Sequence, residues 1–404
     1  MPSRSETTVV KKPFASWIRL VARIRVPSCA RTGDSFVIMN HRAASAAFPT
    51  RSDCPAEDKR HVADPPPRRA PARAMACLLS VLTVGLMTGS AARAQGPAEA
   101  PQDRGMLTLL NENDMWGGTD RYYTNGLRLG WTSPVGAPPA ALSWLDRQFD
   151  WLLGDGAFRW SLSLDQAIFT PEDIRNRRPD PRDRPYAGHL SLTLGLERAT
   201  EHERTVLAFQ LGLVGPGAGG EFIQNRWHDV INKYHAEGWD TQLRDEPTFG
   251  VLAERNWRVS TGRLGTFDTE IIPAATLSLG TAHTYAGGGI TFRLGDALDA
   301  DWGPSRLRPS LGDSVPGRPR QALGWYVFGG IGGRGVARNL FLDGSTWRDS
   351  ASVDRRPVVG EIEAGLAVFW RGMRLAYTQV WQSKEFSEQK GGQSFGAISL
   401  TIPF

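Results

Sequence analysis

The stretch Leu190-Ser191-Leu192-Thr193-Leu194-Gly195-Leu196-Glu197 alternates without a break between leucine and a small or polar residue. In an extended chain successive side chains point to opposite faces, so a period of two puts the four leucines on one surface and Ser191, Thr193, Gly195 and Glu197 on the other. The pattern repeats in Leu127, Leu129 and Trp131 against Arg128, Gly130 and Thr132, and in Trp160, Leu162 and Leu164 against Ser161, Ser163 and Asp165. Leu207, Phe209, Leu211 and Leu213 continue it. Further candidate strands at 105–114, 248–259, 267–280, 283–295, 323–335, 357–370, 373–385 and 394–404 bring the count to twelve. Runs of about 9 to 11 residues match a tilted strand crossing a bilayer. An even number of antiparallel strands can close on itself, leaving no unpaired edge for lipid to face.

Alternation alone also fits a soluble β-sandwich. Three features favour the barrel: signs of export in a body without cysteines, aromatic residues at strand ends (Trp131, Trp160, Trp257, Trp370) that suit interfacial girdles, and the terminus. Ile398, Leu400, Ile402 and Phe404 alternate and end the chain on an aromatic side chain, like the C-terminal recognition strand of bacterial outer-membrane proteins. Phe404 is therefore expected to address the outer-membrane assembly machinery. Pro403 departs mildly from this pattern, tolerable where its missing N–H falls at a strand end. The expected fold is all-β: a closed antiparallel transmembrane β-barrel of about twelve strands, with a short helix in an extracellular loop.

Charge and cysteine content divide the chain. Its 404 residues carry a formal charge of +5, but 15 of the 47 lysines and arginines lie at or before Ala94, against 6 of the 42 acidic residues. The remaining 310 residues therefore carry −4, which argues against nucleic acid as a partner. Cys29, Cys54 and Cys77 all fall in the first part, excluding a disulfide framework or a Cys-ligated zinc in the body. No run of about 18 to 20 apolar residues occurs to form a membrane-spanning helix. Arg68-Arg69 and Arg73, the apolar stretch Cys77 to Met87, and Ala92-Arg93-Ala94 are the three parts of a secretory signal peptide. The expected organisation is an extension or basic flank at 1–74, a signal core and cleavage region at 75–94, and a barrel at 95–404. Residues 1 to about 60 read as a start codon assigned too far upstream.

One segment breaks the period. Gly215-Pro216-Gly217-Ala218-Gly219-Gly220 is a flexible breaker, and Glu221 to about Tyr234 then carries Phe222, Ile223, Trp227, Val230 and Ile231 at helical spacing. Within it Gln224 and His228 are four apart and share a face. Asn113-Asp114 ends the first strand, and Thr124 and Asn125 open the second. A histidine beside carboxylate and amide groups can act as a general base on water, since an ordinary imidazole, with a pKa of about 6.5, is largely neutral at physiological pH. Oxygen ligands such as Asp114 and Asn113 suit a hard cation, calcium above all. On spacing alone, a loop histidine is equally a structural residue, and Asn-Asp a turn signal.

Longer strings carry more. Asn111-Glu112-Asn113-Asp114, Thr119 through Gly126, Asp183-Arg184-Pro185-Tyr186-Ala187-Gly188, Val214 through Gly220 leading to Gln224-Asn225-Arg226-Trp227-His228, and Gly238 through Leu243 together resemble the lipid A deacylase family of Gram-negative outer membranes. The resemblance spans essentially the whole body. It implies a twelve-stranded barrel with a calcium-dependent hydrolase site between the wall and a loop helix, removing the 3′-linked acyloxyacyl chain of lipid A. On it, His228 activates water and Asn113 and Asp114 form a strand-end pair needed for activity, Asp114 being the better cation ligand. Thr124 matches a site hydroxyl, and Gln224 would donate to the ester oxyanion. The family's Lys-Arg pair falls on Asn176-Arg177, so the lysine is missing; Arg175, Arg177 and Arg178 are the candidates for lipid A phosphate, with a solvated basic loop as the plain alternative. Two other functions remain open: a passive porin, and an outer-membrane phospholipase with a serine nucleophile. N-terminal sequencing of the exported protein is expected to begin at Gln95; any residue before Met75 retained would contradict the leader assignment.

Overall fold

A computed structural model describes residues 104–118, 121–304, 306–307 and 323–404. The expectations for the leader, the cysteines and Thr119-Asp120 lie outside the described residues.

The strands are β1 (Met106–Asn113), β2 (Tyr122–Thr132), β3 (Ala157–Thr170), β4 (Ala187–Ala199), β5 (Glu203–Val214), β6 (Glu246–Trp257), β7 (Val259–Leu264), β8 (Phe267–Gly280), β9 (His283–Gly295), β10 (Leu323–Asn339), β11 (Val358–Trp370), β12 (Met373–Gln382) and β13 (Gln393–Pro403). All pairings are antiparallel. The C-terminal β13 pairs with both β12 and β1, from Met106↔Pro403 to Asn113↔Gly396, and β6 pairs with β8, so the sheet closes. The wall has twelve strands because β7 continues β6: Asn256↔Ala274 and Val259↔Ile271 keep one register against β8. The break at Arg258 falls where β5 begins, and its backbone N–H donates to the His202 carbonyl at 2.8 Å. Beyond it β7 pairs only with β8, and all its residues are exposed. The expected single strand 248–259 is thus corrected to a strand broken near its end, which period-two patterning cannot show.

The two faces of the wall meet different solvents. Leu109, Leu129, Leu164, Leu192 and Leu211 are exposed outward, while Arg128, Ser191, Thr193, Arg293 and Arg374 are buried in the lumen. Arg128 donates to Asp165 at 2.6 Å, and the other Asp165 oxygen accepts from the hydroxyls of Ser163 (3.0 Å) and Thr193 (2.9 Å). Buried charges need such partners, since desolvation otherwise dominates.

Two features had no signature in the alternation. Helices α1 (Ala140–Gln148) and α2 (Asp150–Leu153) fold back from the β2–β3 connection against the outer face of β4 and β5, where Phe149 packs on Phe209 and Arg198 grips Asp146 and the Gly154 carbonyl. The segment after β9, described over 296–304 and 306–307, enters the lumen. There Asp301 is bracketed by Arg293 and by Arg374 (2.6 Å) and accepts the Tyr326 hydroxyl at 2.8 Å. Arg306 bridges Glu361 (2.9 Å) and Glu363 (3.2 Å), and the backbone N–H of Leu307 donates to Glu112 at 2.8 Å. This polar segment reads as a solvated loop, yet its charges are matched by lumen charges from four strands. Asp301→Ala removes the carboxylate between two buried guanidiniums. It is expected to cost about 3–5 kcal/mol, read as a lower temperature for conversion of the folded gel band; an unchanged transition would contradict the clamp.

Candidate functional site

The outer face of the wall changes character at the rim that holds the long loops. On the side that carries Leu109, Leu129 and Leu164 further down, β1, β2 and β3 end in Asn111, Asn113, Asn125, Gln166 and Thr170. A bulge adds Thr124 to this face. The pairing passes from Tyr123↔Phe169 to Asn125↔Ile168, leaving Thr124 without a partner on β3, and a bulge re-aims a side chain that strict alternation would send into the lumen. The Thr124 hydroxyl instead meets that of Thr170 at 2.7 Å. Tyr122, which opens β2, holds a left-handed φ of 70°. Its ring is anchored edge-on against Phe386, 5.7 Å away.

Asp114 begins a 3₁₀ turn, Asp114–Gly117, that Asn113 caps by accepting the Met115 N–H at 2.8 Å. Asn113 donates to Asn125 (3.3 Å), and Asp114 accepts the backbone N–H of Arg121. Asn113 and Asp114 are buried, although they sit at the outside of a membrane strand's end.

They are covered by helix α3 (Gly220–Ile231), which lies on the outer wall. The approach depends on two glycines: a Cβ on Gly188 of β4 would stand 3.0 Å from the Gly220 Cα, and one on Gly220 would meet Trp239 at 2.7 Å and the Gly188 Cα at 2.9 Å. Gln166 donates to the Ala218 carbonyl at 3.0 Å, tying the turn before the helix to β3. Asn232, left-handed at φ 55°, ends the helix three residues before the expected limit. The loop 171–186 buttresses it: Ile174, Tyr186, Ala236, Trp239 and Ile168 form one apolar cluster, and burial pushes the Asp183 carboxyl up while it accepts the backbone N–H groups of Glu172 and Arg184.

Helix α3 turns a polar pair to the wall, and its outward side chains mix charged (Glu221, Arg226, Asp229) and apolar (Phe222, Val230) groups. Gln224 and His228 are each 3% exposed against the wall, whereas Phe222 and Val230 are 66% and 76% exposed. The imidazole of His228 is oriented by the Tyr234 carbonyl, 2.6 Å from Nδ1. A carbonyl only accepts, so in the neutral ring Nδ1 carries the proton and Nε2 is the basic nitrogen.

Asn113, Asp114, Thr124, Gln224 and His228 all line one cavity of about 20 Å³, room for a single water. Met115, Asn125, Ile223, Trp227 and Lys233 complete it. Of these, Trp227 and Lys233 are the chemically notable residues that sequence reasoning passed over. The Trp227 indole nitrogen is buried with no hydrogen-bond partner among the described residues, and only its position next to His228 could have flagged it. The three arginines stand apart from the cavity. Arg175 is 3.4 Å from Asp173 and stacks over the Tyr234 ring, Arg177 is 3.4 Å from Glu237, and Arg178 is exposed. Asp114 is the cavity's one carboxylate among the described residues, with neutral oxygens on Asn113, Thr124 and Asn125. That donor chemistry fits a hard cation, though the Asn113 oxygen already serves the turn. No group of three His, Cys, Asp or Glu placed to hold a metal occurs among the described residues.

Gly188→Val is expected to lift helix α3 from the wall and abolish the site's activity, whereas the barrel still forms and keeps its heat-modifiable gel mobility. Retained activity would contradict the proposed seating of the helix.

Comparison with known proteins agrees with this architecture. The solved structure of LpxR from Salmonella typhimurium matches with a TM-score of 0.60 at 22% identity, covering 74% of this chain and 100% of that one. At that identity it supports the fold alone. The β domain of the Bordetella autotransporter BrkA (TM-score 0.38, 11% identity, 74% of this chain and 99% of that one) and the translocator domain of NalP from Neisseria meningitidis (0.34, 10%, 82% and 96%) are too distant to carry an argument. No curated protein matches the chain. The family described as outer membrane protein LpxR matches residues 77–404, well over half of the sequence, and the chain belongs to that family.

Proposed function

We propose that this protein is a calcium-dependent lipid A 3′-O-deacylase of the outer membrane, hydrolysing the ester of the 3′-linked acyloxyacyl chain. The observation that carries this reading is the position of His228. A histidine with a fixed tautomer, beside Asp114, Asn113, Thr124 and Gln224, lies on the outer side of the wall, on the inward face of a helix that exposes Phe222 and Val230 together with Glu221, Arg226 and Asp229. Such a site takes its substrate from the leaflet and not from the lumen.

In the reaction, His228 Nε2 removes a proton from water as the oxygen attacks the ester carbonyl. The Gln224 amide N–H donates to the oxyanion; a fixed donor of this kind contributes about 3–4 kcal/mol. Collapse expels the sugar 3′-oxygen, which takes its proton from the imidazolium, and the acyloxyacyl chain leaves as the free acid. Asp114, with Asn113 and Thr124, would hold the calcium ion, which when bound supplies Lewis-acid polarisation of the carbonyl. Lys233 adds a cation to the cavity, while Arg175, Arg177 and Arg178 would meet the lipid A phosphates beyond it. No serine lines the cavity among the described residues, which weighs against the phospholipase alternative, and the segment after β9 that carries Asp301, Arg306 and Leu307 lies in the lumen that a porin would leave open.

Mass spectrometry of lipid A treated with purified protein and calcium is expected to show loss of the 3′ acyloxyacyl group, and His228→Ala to show none. An unchanged wild-type spectrum, together with ion conductance in planar bilayers, would favour the porin instead. Chelation is expected to abolish the reaction while the folded gel mobility persists. Activity should fall on acidification, since a protonated ring cannot accept from water; a rate that does not change with pH would argue against a histidine base.

A further inference from the structure

A glutamine serves an oxyanion only if its amide points the right way, because Nε2 donates and Oε1 repels. In this protein the orientation has a physical cause. The indole N–H of Trp239 donates to Gln224 Oε1 at 2.9 Å. Indole is a donor with no acceptor, so it must meet the oxygen end of the amide. The nitrogen end is thereby turned the other way. Gln224 Nε2 is buried and has no hydrogen-bond partner among the described residues, on a side chain 3% exposed that lines the cavity with His228 and Asp114. A buried donor left without a partner is costly, so the arrangement is built for an acceptor that arrives with substrate.

Trp239 is itself held. It is 1% exposed, packs with Ile168, Ile174, Tyr186 and Ala236, and its ring centre is 5.0 Å from that of Tyr186. Its six-membered ring fills the space that a side chain at position 220 would occupy. It sits in the short turn Trp239–Thr241, fifteen residues beyond Gln224, and makes no part of the cavity lining.

We propose that Trp239 is a positioning residue of this site: its indole N–H locks the Gln224 amide with the nitrogen toward the cavity, converting a symmetric-looking side chain into an obligate oxyanion donor. The proposal rests on the reading of the cavity as an ester-hydrolysing centre with Gln224 as donor. Without Trp239, a half-turn of the amide would present its oxygen to the oxyanion.

The test uses the full-length exported protein in detergent with lipid A and calcium. Trp239→Phe, which keeps an aromatic ring but loses the N–H, is expected to lower kcat about 10- to 100-fold with KM and gel mobility little changed. The double variant Trp239→Phe/Gln224→Ala should be no slower than Gln224→Ala alone, because both changes remove one function. Trp239→His, which retains a ring N–H, should recover part of the loss. Slow hydrogen exchange at the Trp239 indole in ¹⁵N-labelled protein, accelerated by Gln224→Ala, reports the bond independently of activity. A Trp239→Phe effect that multiplies in full with that of Gln224→Ala, or an unchanged kcat, would overturn the positioning role while leaving Gln224 as donor. Full activity of Gln224→Ala would overturn the underlying reading and the proposal with it, and indole exchange unaffected by Gln224→Ala would show that the bond is not made.

Discussion

Closure is the constraint on which the rest of this structure depends. In hydrocarbon an unpaired backbone N–H or carbonyl has no water to turn to, so each wall strand must pair on both sides. Strand β13 supplies the last pairing by joining β12 to β1 at the chain's own end. Once the sheet is closed, alternation does two jobs. One set of side chains dissolves the wall in lipid, and the other gathers Arg128, Arg293 and Arg374 with Asp165, Glu270, Glu361 and Glu363 in the lumen. The segment inserted after β9 belongs to that balance. Asp301 sits between two arginines and Arg306 between two glutamates, so wall and insert neutralise each other.

With the lumen so committed, the distinctive chemistry lies outside. At the rim, polar side chains stand on the face that is otherwise lipid-exposed, and helix α3 covers them with its own polar stripe turned inward. The two polar surfaces shelter each other from lipid, and what remains between them is a cavity of about 20 Å³ lined by an imidazole, a carboxylate and amide groups. Outward the helix exposes Phe222 and Val230 beside the charged Glu221, Arg226 and Asp229, a mixture that suits the boundary between acyl chains and head groups. On the proposed function, such a geometry would serve a substrate that stays in the membrane. It needs Gly188 and Gly220, because a helix standing off by one methyl group would let Gln224 and His228 drift from Asn113 and Asp114.

Much of this was legible in the sequence, and the parts that were not share a cause. Period-two alternation found every wall strand, since it reports which solvent each face meets. It could not show the break at Arg258, which depends on where the neighbouring β5 begins. It also could not separate the insert after β9 from a solvated loop, because the second arginine that brackets Asp301, Arg374 on β12, lies far away in sequence. The five residues read as one constellation, Asn113, Asp114, Thr124, Gln224 and His228, do share one cavity, although Thr124 reaches it only through a bulge. The Arg175–Arg178 stretch was read from charge, and its side chains lie outside the cavity on partners such as Asp173 and Glu237. Trp239 was quoted as part of a motif without a role; its function depends on which atom it meets, which spacing does not encode.

The central claim is that substrate enters from the lipid side of the wall, under helix α3. Site-specific photocrosslinking tests it most directly, with a photoreactive amino acid placed in turn at Phe222, at Val230 and at the lumen residue Gln210, in cells carrying labelled lipid A. The account predicts adducts at the two helix positions and none at Gln210. Adducts at Gln210 alone would contradict it, and would place the lipid inside the barrel.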